Sequence, residues 1–144
     1  MASMNAEIQQ IVDDIGVEAA LQILRRATPA SSKRLTIVAD DTMHKIPDSV
    51  LEGEVYVFSS GAIDVSSDAS LESYLVDRLR ALADKLKHDS WLKIRIVYSG
   101  HAVLAAQIKL LVYRITHLET EDVAYFGANG YRVVNIAMRG DIVS

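Results

Sequence analysis

Residues 91–118 leave this chain the fewest ways to fold. From Trp91 to Tyr98, the residues Leu92, Ile94, Ile96 and Tyr98 alternate with Lys93, Arg95 and Val97, which is the two-residue period of a strand. Only the C-terminal half of this strand is apolar on both faces. Ser99-Gly100-His101 leaves no room for a long loop, and a second pattern starts at once. Over residues 102–118, Val103, Leu104, Ala105, Ala106, Ile108, Leu110, Leu111, Val112 and Ile115 make a helix that is apolar nearly all round, the signature of a mostly buried helix. A strand feeding such a helix through three residues is one half of a parallel βαβ unit.

The preceding segment supplies another crossover. Leu71, Leu75, Leu79, Leu82 and Leu86 form an apolar stripe at helical spacing, with Asp77, Arg80, Asp84 and Lys87 on the solvent side. The polar run Ser66-Ser67-Asp68-Ala69-Ser70 provides the N-cap, placed at Ser70, and His88-Asp89-Ser90 ends the helix. Val55-Tyr56-Val57-Phe58 is continuous, β-favouring and apolar on both faces, as a central strand reads. Ser59-Ser60-Gly61 interrupts it, either as a hairpin turn or as a bulge in one longer strand continuing through Ala62-Ile63-Asp64-Val65. Leu35 to Ala39 is a further short strand, and residues 43–53 read as a loop or a single helical turn. Glu119 to Asp122 reads as a turn. Val123 to Phe126 and Tyr131 to Met138 flank Asn129-Gly130, a strong hairpin signal.

The N-terminal stretch 5–27 has apolar residues at helix spacing, Ile8, Ile11, Val12 and Ile15, then Ala20, Leu21 and Leu24. Gly16 sits inside it, costs about 1 kcal/mol in a helix interior, and marks where the segment splits if it splits. Met1-Ala2-Ser3 ahead of Met4 reads as an expression scar. The expected organisation is an N-terminal helical segment, 4–27, joined by Thr28-Pro29-Ala30-Ser31-Ser32 to a single Rossmann-like α/β domain, 33–144. That domain has a mostly parallel sheet and a C-terminal β-hairpin.

Composition removes several function classes. The chain has no cysteine, which excludes disulfides, thiolate metal sites and cysteine catalysis and fits a reducing, cytoplasmic setting. A net charge of −4 argues against a protein that grips polymeric nucleic acid. No cationic leader and no apolar run near ~20 residues is present, so no membrane role is expected. No phosphate-binding glycine motif of the P-loop or dinucleotide type occurs, and no nucleophile elbow.

Ligands of open α/β sheets bind beyond the carboxyl ends of the strands. Three loops qualify: Asp40-Asp41-Thr42, the stretch from Ser59 to Ser70 that includes Ser66 and Ser67, and Ser99-Gly100-His101. The last is the foremost candidate. Gly100 lets backbone approach a ligand and leaves the space a phosphate needs. The helix behind it presents unpaired N–H groups and a positive dipole end, and a histidine at 101 can donate a hydrogen bond or carry charge near neutral pH. The plain alternative is a tight strand-to-helix turn capped by Ser99. Asp40 with Asp41 can hold magnesium or serve acid–base chemistry, against the plainer reading of a solvated loop or helix cap. His88, His101 and His117 lack metal-ligand spacing, so neither metal nor cofactor is expected. Tyr113 and Arg114 read as structural.

Residues 61–139 resemble one half of a SAVED domain, the nucleotide-sensing relative of CARF domains in bacterial antiviral systems. The features that carry the likeness are Ala62-Ile63-Asp64-Val65-Ser66 as first strand and loop, the 71–88 helix, Trp91 to Tyr98 running into Ser99-Gly100-His101-Ala102, an alanine-rich buried helix, then Val123 to Phe126 and the Tyr131 strand. The resemblance implies a cyclic-oligonucleotide pocket at Ser66, Ser67, Ser99, Gly100 and His101, and a missing half supplied by a second copy or a partner chain. Where that family has a small-Leu-Gly pattern on its buried helix, this chain has Ile108-Lys109-Leu110.

Taken together, the sequence leads to the expectation of a non-enzymatic module that binds a small anionic ligand, a nucleotide or cyclic oligonucleotide, in a defence-type system. A protein-interaction or immunity-type protein that masks a partner is the alternative, and a nucleotide hydrolase the third. A homo-oligomer is expected, through the N-terminal segment or the C-terminal hairpin.

Overall fold

Alternating apolar strands need cover on both faces only at the middle of a sheet, and burial along each strand shows where that middle lies. A computed structural model of the chain describes residues 2–27, 33–42, 44–61 and 63–143. Its strands are β1 (Arg34–Asp40), β2 (Glu54–Ser59), β3 (Lys93–Tyr98), β4 (Glu121–Tyr125) and β5 (Tyr131–Val134). Its helices are α1 (Ala2–Ile15), α2 (Val17–Ala27), α3 (Asp68–His88) and α4 (Ala102–Thr116). The strands form one sheet in the order β2-β1-β3-β4-β5, parallel except for the final β4–β5 pair. The fold is α/β and Rossmann-like, with a mostly parallel sheet and a C-terminal hairpin, as the sequence pattern implies.

The chain divides into two units, Met1–Ser32 and Lys33–Ser144. In the first, α1 and α2 meet at Gly16, so the helical stretch does split there. The second unit holds the sheet. Leu35, Ile37 and Ala39 of β1, Phe58 of β2 and Ile94 and Ile96 of β3 share one cluster with Leu75, Leu82 and Leu86 of α3 and Leu104, Ala105, Ile108 and Val112 of α4. Both helices therefore cover the same face of the sheet. The opposite face has a smaller cluster, Val38, Val50, Val97 and Val123, with Ile46 and Leu51 packed on it. Its cover is the β1–β2 connection, whose only regular part among the described residues is the 3-10 turn Asp48–Val50. That connection is pinned by polar bonds. Thr36 Oγ1 donates to the Glu52 carbonyl at 2.7 Å and accepts from the Glu52 N–H at 2.9 Å. Arg95 donates to the Val50 carbonyl at 3.0 Å.

Four sequence expectations change. Val55 to Phe58 is an edge strand, not a central one, because Val55 and Val57 lie on the face that only this connection covers and stay exposed, whereas β1 is buried almost throughout. The chain neither turns into a hairpin after Ser59 nor continues as a strand: residues 63–65 are irregular. Asp64 accepts from both the N–H and the hydroxyl of Ser66, a local turn that competes with strand pairing, while Ile63 packs against the core. α3 begins at Asp68, with Ser67 rather than Ser70 as its cap; the Ser67 hydroxyl accepts from the Ser70 N–H at 3.0 Å. Finally, α4 is not buried all round. After β4 the chain returns as β5 instead of a third helix, so Val103, Leu110 and Tyr113 face outward. The hairpin itself is present, with β5 ending at Val134 and a five-residue connection, 126–130, instead of a two-residue turn.

Candidate functional site

The strand order gives the sheet one switch point. β1 continues to β2 on one side, whereas its neighbour β3 continues through α4 to β4 on the other. Connections diverging from adjacent parallel strands open a crevice between the strand ends, where ligands of such sheets bind. Here the crevice lies between Asp40 and Ser99. β1 and β3 are parallel with Val38 opposite Val97, which brings the two ends level. The Asp40 N–H donates to Ser99 Oγ at 3.0 Å, so the serine hydroxyl ties the two strand ends together.

Asp40 is the unexpected feature of this crevice. Its residue is only 5% exposed, a burial rare for a carboxylate. Its Oδ1 accepts twice from Thr42, from the N–H at 2.8 Å and from the hydroxyl at 2.5 Å. Its Oδ2 has no hydrogen-bond donor among the described residues and faces Gly100. A Cβ placed on Gly100 would sit 2.9 Å from that oxygen and 2.7 Å from the Asp40 Cβ. Gly100 also has φ +72°, a left-handed conformation that side chains rarely adopt. The glycine is thus required by the Asp40 contact and by the turn, independently of any ligand.

His101 is the N-cap residue of α4, exposed, and its side chain makes no capping bond. The Leu104 N–H bonds back to the His101 carbonyl at 3.0 Å, and the amides of Ala102 and Val103 have no acceptor among the described residues. Ser99, expected as a cap, instead spends its oxygen on Asp40. The crevice therefore offers two kinds of partner side by side: open N–H donors with a positive helix end, and a buried carboxylate oxygen that accepts.

Ser66 and Ser67 lie at the other end of the rim, in the turn before α3, and are exposed. Both hydroxyls are engaged locally, on Asp64 and on Ser70. No hydrogen bond joins them to Ser99, Gly100 or His101 among the described residues. The Asp64 carboxyl is held below its ordinary range, first by the Ser66 hydroxyl and then by the Ser66 N–H. A depressed carboxylate stabilises at neutral pH and loses that contribution as the pH falls below the usual value near ~4. Amide exchange at residues 66–70, corrected for intrinsic rates, should accelerate relative to β1 on acidification through that range. Equal acceleration in both places would contradict the role given to Asp64.

Two further groups at this rim carry no sequence signal strong enough to single them out. Thr42 fixes the Asp40 rotamer, and only the Asp-x-Thr spacing hints at it. Ser59 ends β2, and its hydroxyl pairs with the Tyr74 hydroxyl of α3 at 2.7 Å. The exposed Asp41 donates its N–H to the Ser59 carbonyl, at 3.2 Å, and is not joined with Asp40 in a metal cradle. Among the described residues no group of three His, Cys, Asp or Glu is placed to hold a metal ion.

A separate groove of about 1140 Å³ runs between α4 and the C-terminal tail, lined by Leu110, Tyr113, Leu118, Met138 and Val143. Asp40, Ser99, Gly100 and His101 are not part of it. It is larger but has no convergent polar groups like those of the crevice; Lys109, its nearest basic group on α4, is already paired with Asp122. Burial lowers the Lys109 affinity for its proton, but the Asp122 hydrogen bond and charge outweigh that and hold the ammonium above its ordinary range.

Fold and crevice together define a Rossmann-like domain with a single switch point built from β1 and β3. No family model, no curated protein and no solved structure matches the chain. Among the described residues no helix is long and apolar enough to cross a membrane.

Proposed function

We propose that this protein is a sensing or binding module for a nucleotide-type ligand, seated at the switch point with its anionic group at the N-terminus of α4. The observation that carries the reading is Asp40: a buried carboxylate with one oxygen lacking a donor, beside open helix amides. Magnitudes decide the ligand class. A helix N-terminus favours an anion by about 0.3–1 kcal/mol in exposed settings. Two like charges 4 Å apart repel by about 4 kcal/mol at an effective dielectric near 20. A bare phosphate close to Asp40 is therefore disfavoured. A ligand that brings hydroxyl or amino donors to Asp40 and an anion to α4 satisfies both, and a ribose phosphate is such a ligand. Cyclic oligonucleotides belong to this class, in keeping with the SAVED-like pattern of the sequence. A defence role and a cytoplasmic location are the setting that this likeness implies.

The test is thermal melting against mononucleotides, cyclic oligonucleotides and inorganic phosphate, with and without magnesium. A ligand at 100 times its dissociation constant raises stability by about 2.7 kcal/mol. At least one nucleotide should stabilise the fold, and phosphate alone should not. Asp40→Asn should weaken that nucleotide about tenfold, since a hydrogen bond to a charged group contributes about 1.5 kcal/mol. A panel without any shift sinks the reading.

A second reading has one observation in its favour. The α4–tail groove exposes Leu110 at 66% and Met138 at 51%, a surface of the kind that docks another protein. If the whole nucleotide panel fails, partner masking through this groove becomes the better account, and Leu110→Asp should then disrupt the complex.

A further inference from the structure

The first unit carries apolar side chains that nothing in it buries. In α1, Ile8, Ile11, Val12 and Ile15 fall at i, i+3, i+4 and i+7, one face of a helix. The opposite face is self-satisfied: Gln9 donates to Asp13 at 3.0 Å and Gln10 to Asp14 at 2.9 Å. In α2, Val17, Ala20, Leu21 and Leu24 repeat the same spacing. Ala20 alone among these is buried, while Ile8, Ile11, Val17 and Leu24 are each more than half exposed. Helices of 14 and 11 residues are at or below the length that stands alone in water, so most of their stability must come from packing of the apolar face.

We propose that this face is covered by the same face of a second copy, with α1 of each protomer lying along α2 of the other in a four-helix assembly. Charge favours this occupant. By sequence α1 carries Glu7, Asp13 and Asp14 and no base, whereas α2 carries Arg25 and Arg26 against one acid, Glu18. A two-fold axis that sets α1 against its counterpart's α2 brings opposite signs together twice, and pairing like helices would bring acid to acid. Each stripe spans two turns, so two copies contribute four matched stripes around one core.

The experiment uses the full chain. Light scattering of the wild type should give a dimer, and Ile11→Asp with Leu24→Asp should halve the mass. The melting of the sheet unit, followed by near-ultraviolet dichroism at Trp91, should remain cooperative in that variant. Glu7→Lys with Asp14→Lys should weaken the dimer, and adding Arg25→Glu with Arg26→Glu should restore it. A wild-type monomer at all concentrations overturns the proposal. So does a dimer that survives the aspartate pair, or one that the lysine pair leaves unchanged.

Discussion

Gly100→Val is expected to destabilise the fold by about 3–5 kcal/mol. A left-handed backbone costs an ordinary residue roughly 1–2 kcal/mol, and a β-branched one more. Forcing extra carbon into a packed position costs roughly 1–3 kcal/mol again. The two act together here, because φ is +72° and the new Cβ would lie 2.7 Å from the Asp40 Cβ. Domains hold only about 5–15 kcal/mol in all, so much of the stability is lost. Urea unfolding of the variant measures it. Gly100→Ala made in an Asp40→Gly background separates the causes: the steric part should be recovered and the backbone part retained. If the alanine costs the same in both backgrounds, the Asp40 contact is not what excludes a side chain. A valine at 100 is accordingly a poor probe of ligand binding. His101→Ala is the better one, since His101 is exposed and makes no capping bond; its effect on stability should stay within about 0.5 kcal/mol.

Arg95→Ala should cost about 3–5 kcal/mol, the range for breaking a buried ion pair from one side. The Arg95 side chain is 12% exposed and that of its partner Glu121 5%. They meet at 2.8 Å on the sheet face opposite the helices, where Arg95 also reaches Glu52 at 3.3 Å and Lys93 flanks Glu121. Removing the guanidinium leaves Glu121 buried beside Lys93 alone and frees the Val50 carbonyl, so the connection that covers this face loosens at the same time. The double change Arg95→Met with Glu121→Leu should recover most of the loss, because an apolar pair of similar volume removes the uncompensated charge. Denaturant midpoints of the three variants decide it. A single-variant cost below about 1 kcal/mol would mean that the pair contributes little.

The sequence carried the β–turn–α unit and the leucine stripe of α3 because both rest on periodicity within one segment, and periodicity is local. It also placed Asp40, Ser99, Gly100 and His101 at strand ends, and three of the four share the crevice around Asp40. It could not give the status of Val55 and Val57. A run apolar on both faces reads alike whether both faces are covered or one is left open, and only the missing third helix decides that. Nor could it give the burial of Asp40. An aspartate pair after a strand reads as a solvated loop, and the Ser99 bond that encloses it comes from a distant segment. Arg95 reads as a polar interruption of β3 for the same reason, its partner Glu121 standing on the next strand.

The hydrogen bond from Asp40 to Ser99 spans 59 residues. β1 must first accept β2, its close neighbour in the chain, and then β3, which arrives only after the whole of α3. Loop closure makes the second pairing the slower and more entropically costly of the two. The crevice consequently has no precursor in a half-folded chain: until β3 docks, Asp40 is a hydrated loop residue and α4 has no strand end to meet. Any ligand held there selects for molecules that have finished folding, and on a ribosome the module would stay silent until nearly all of its length had emerged.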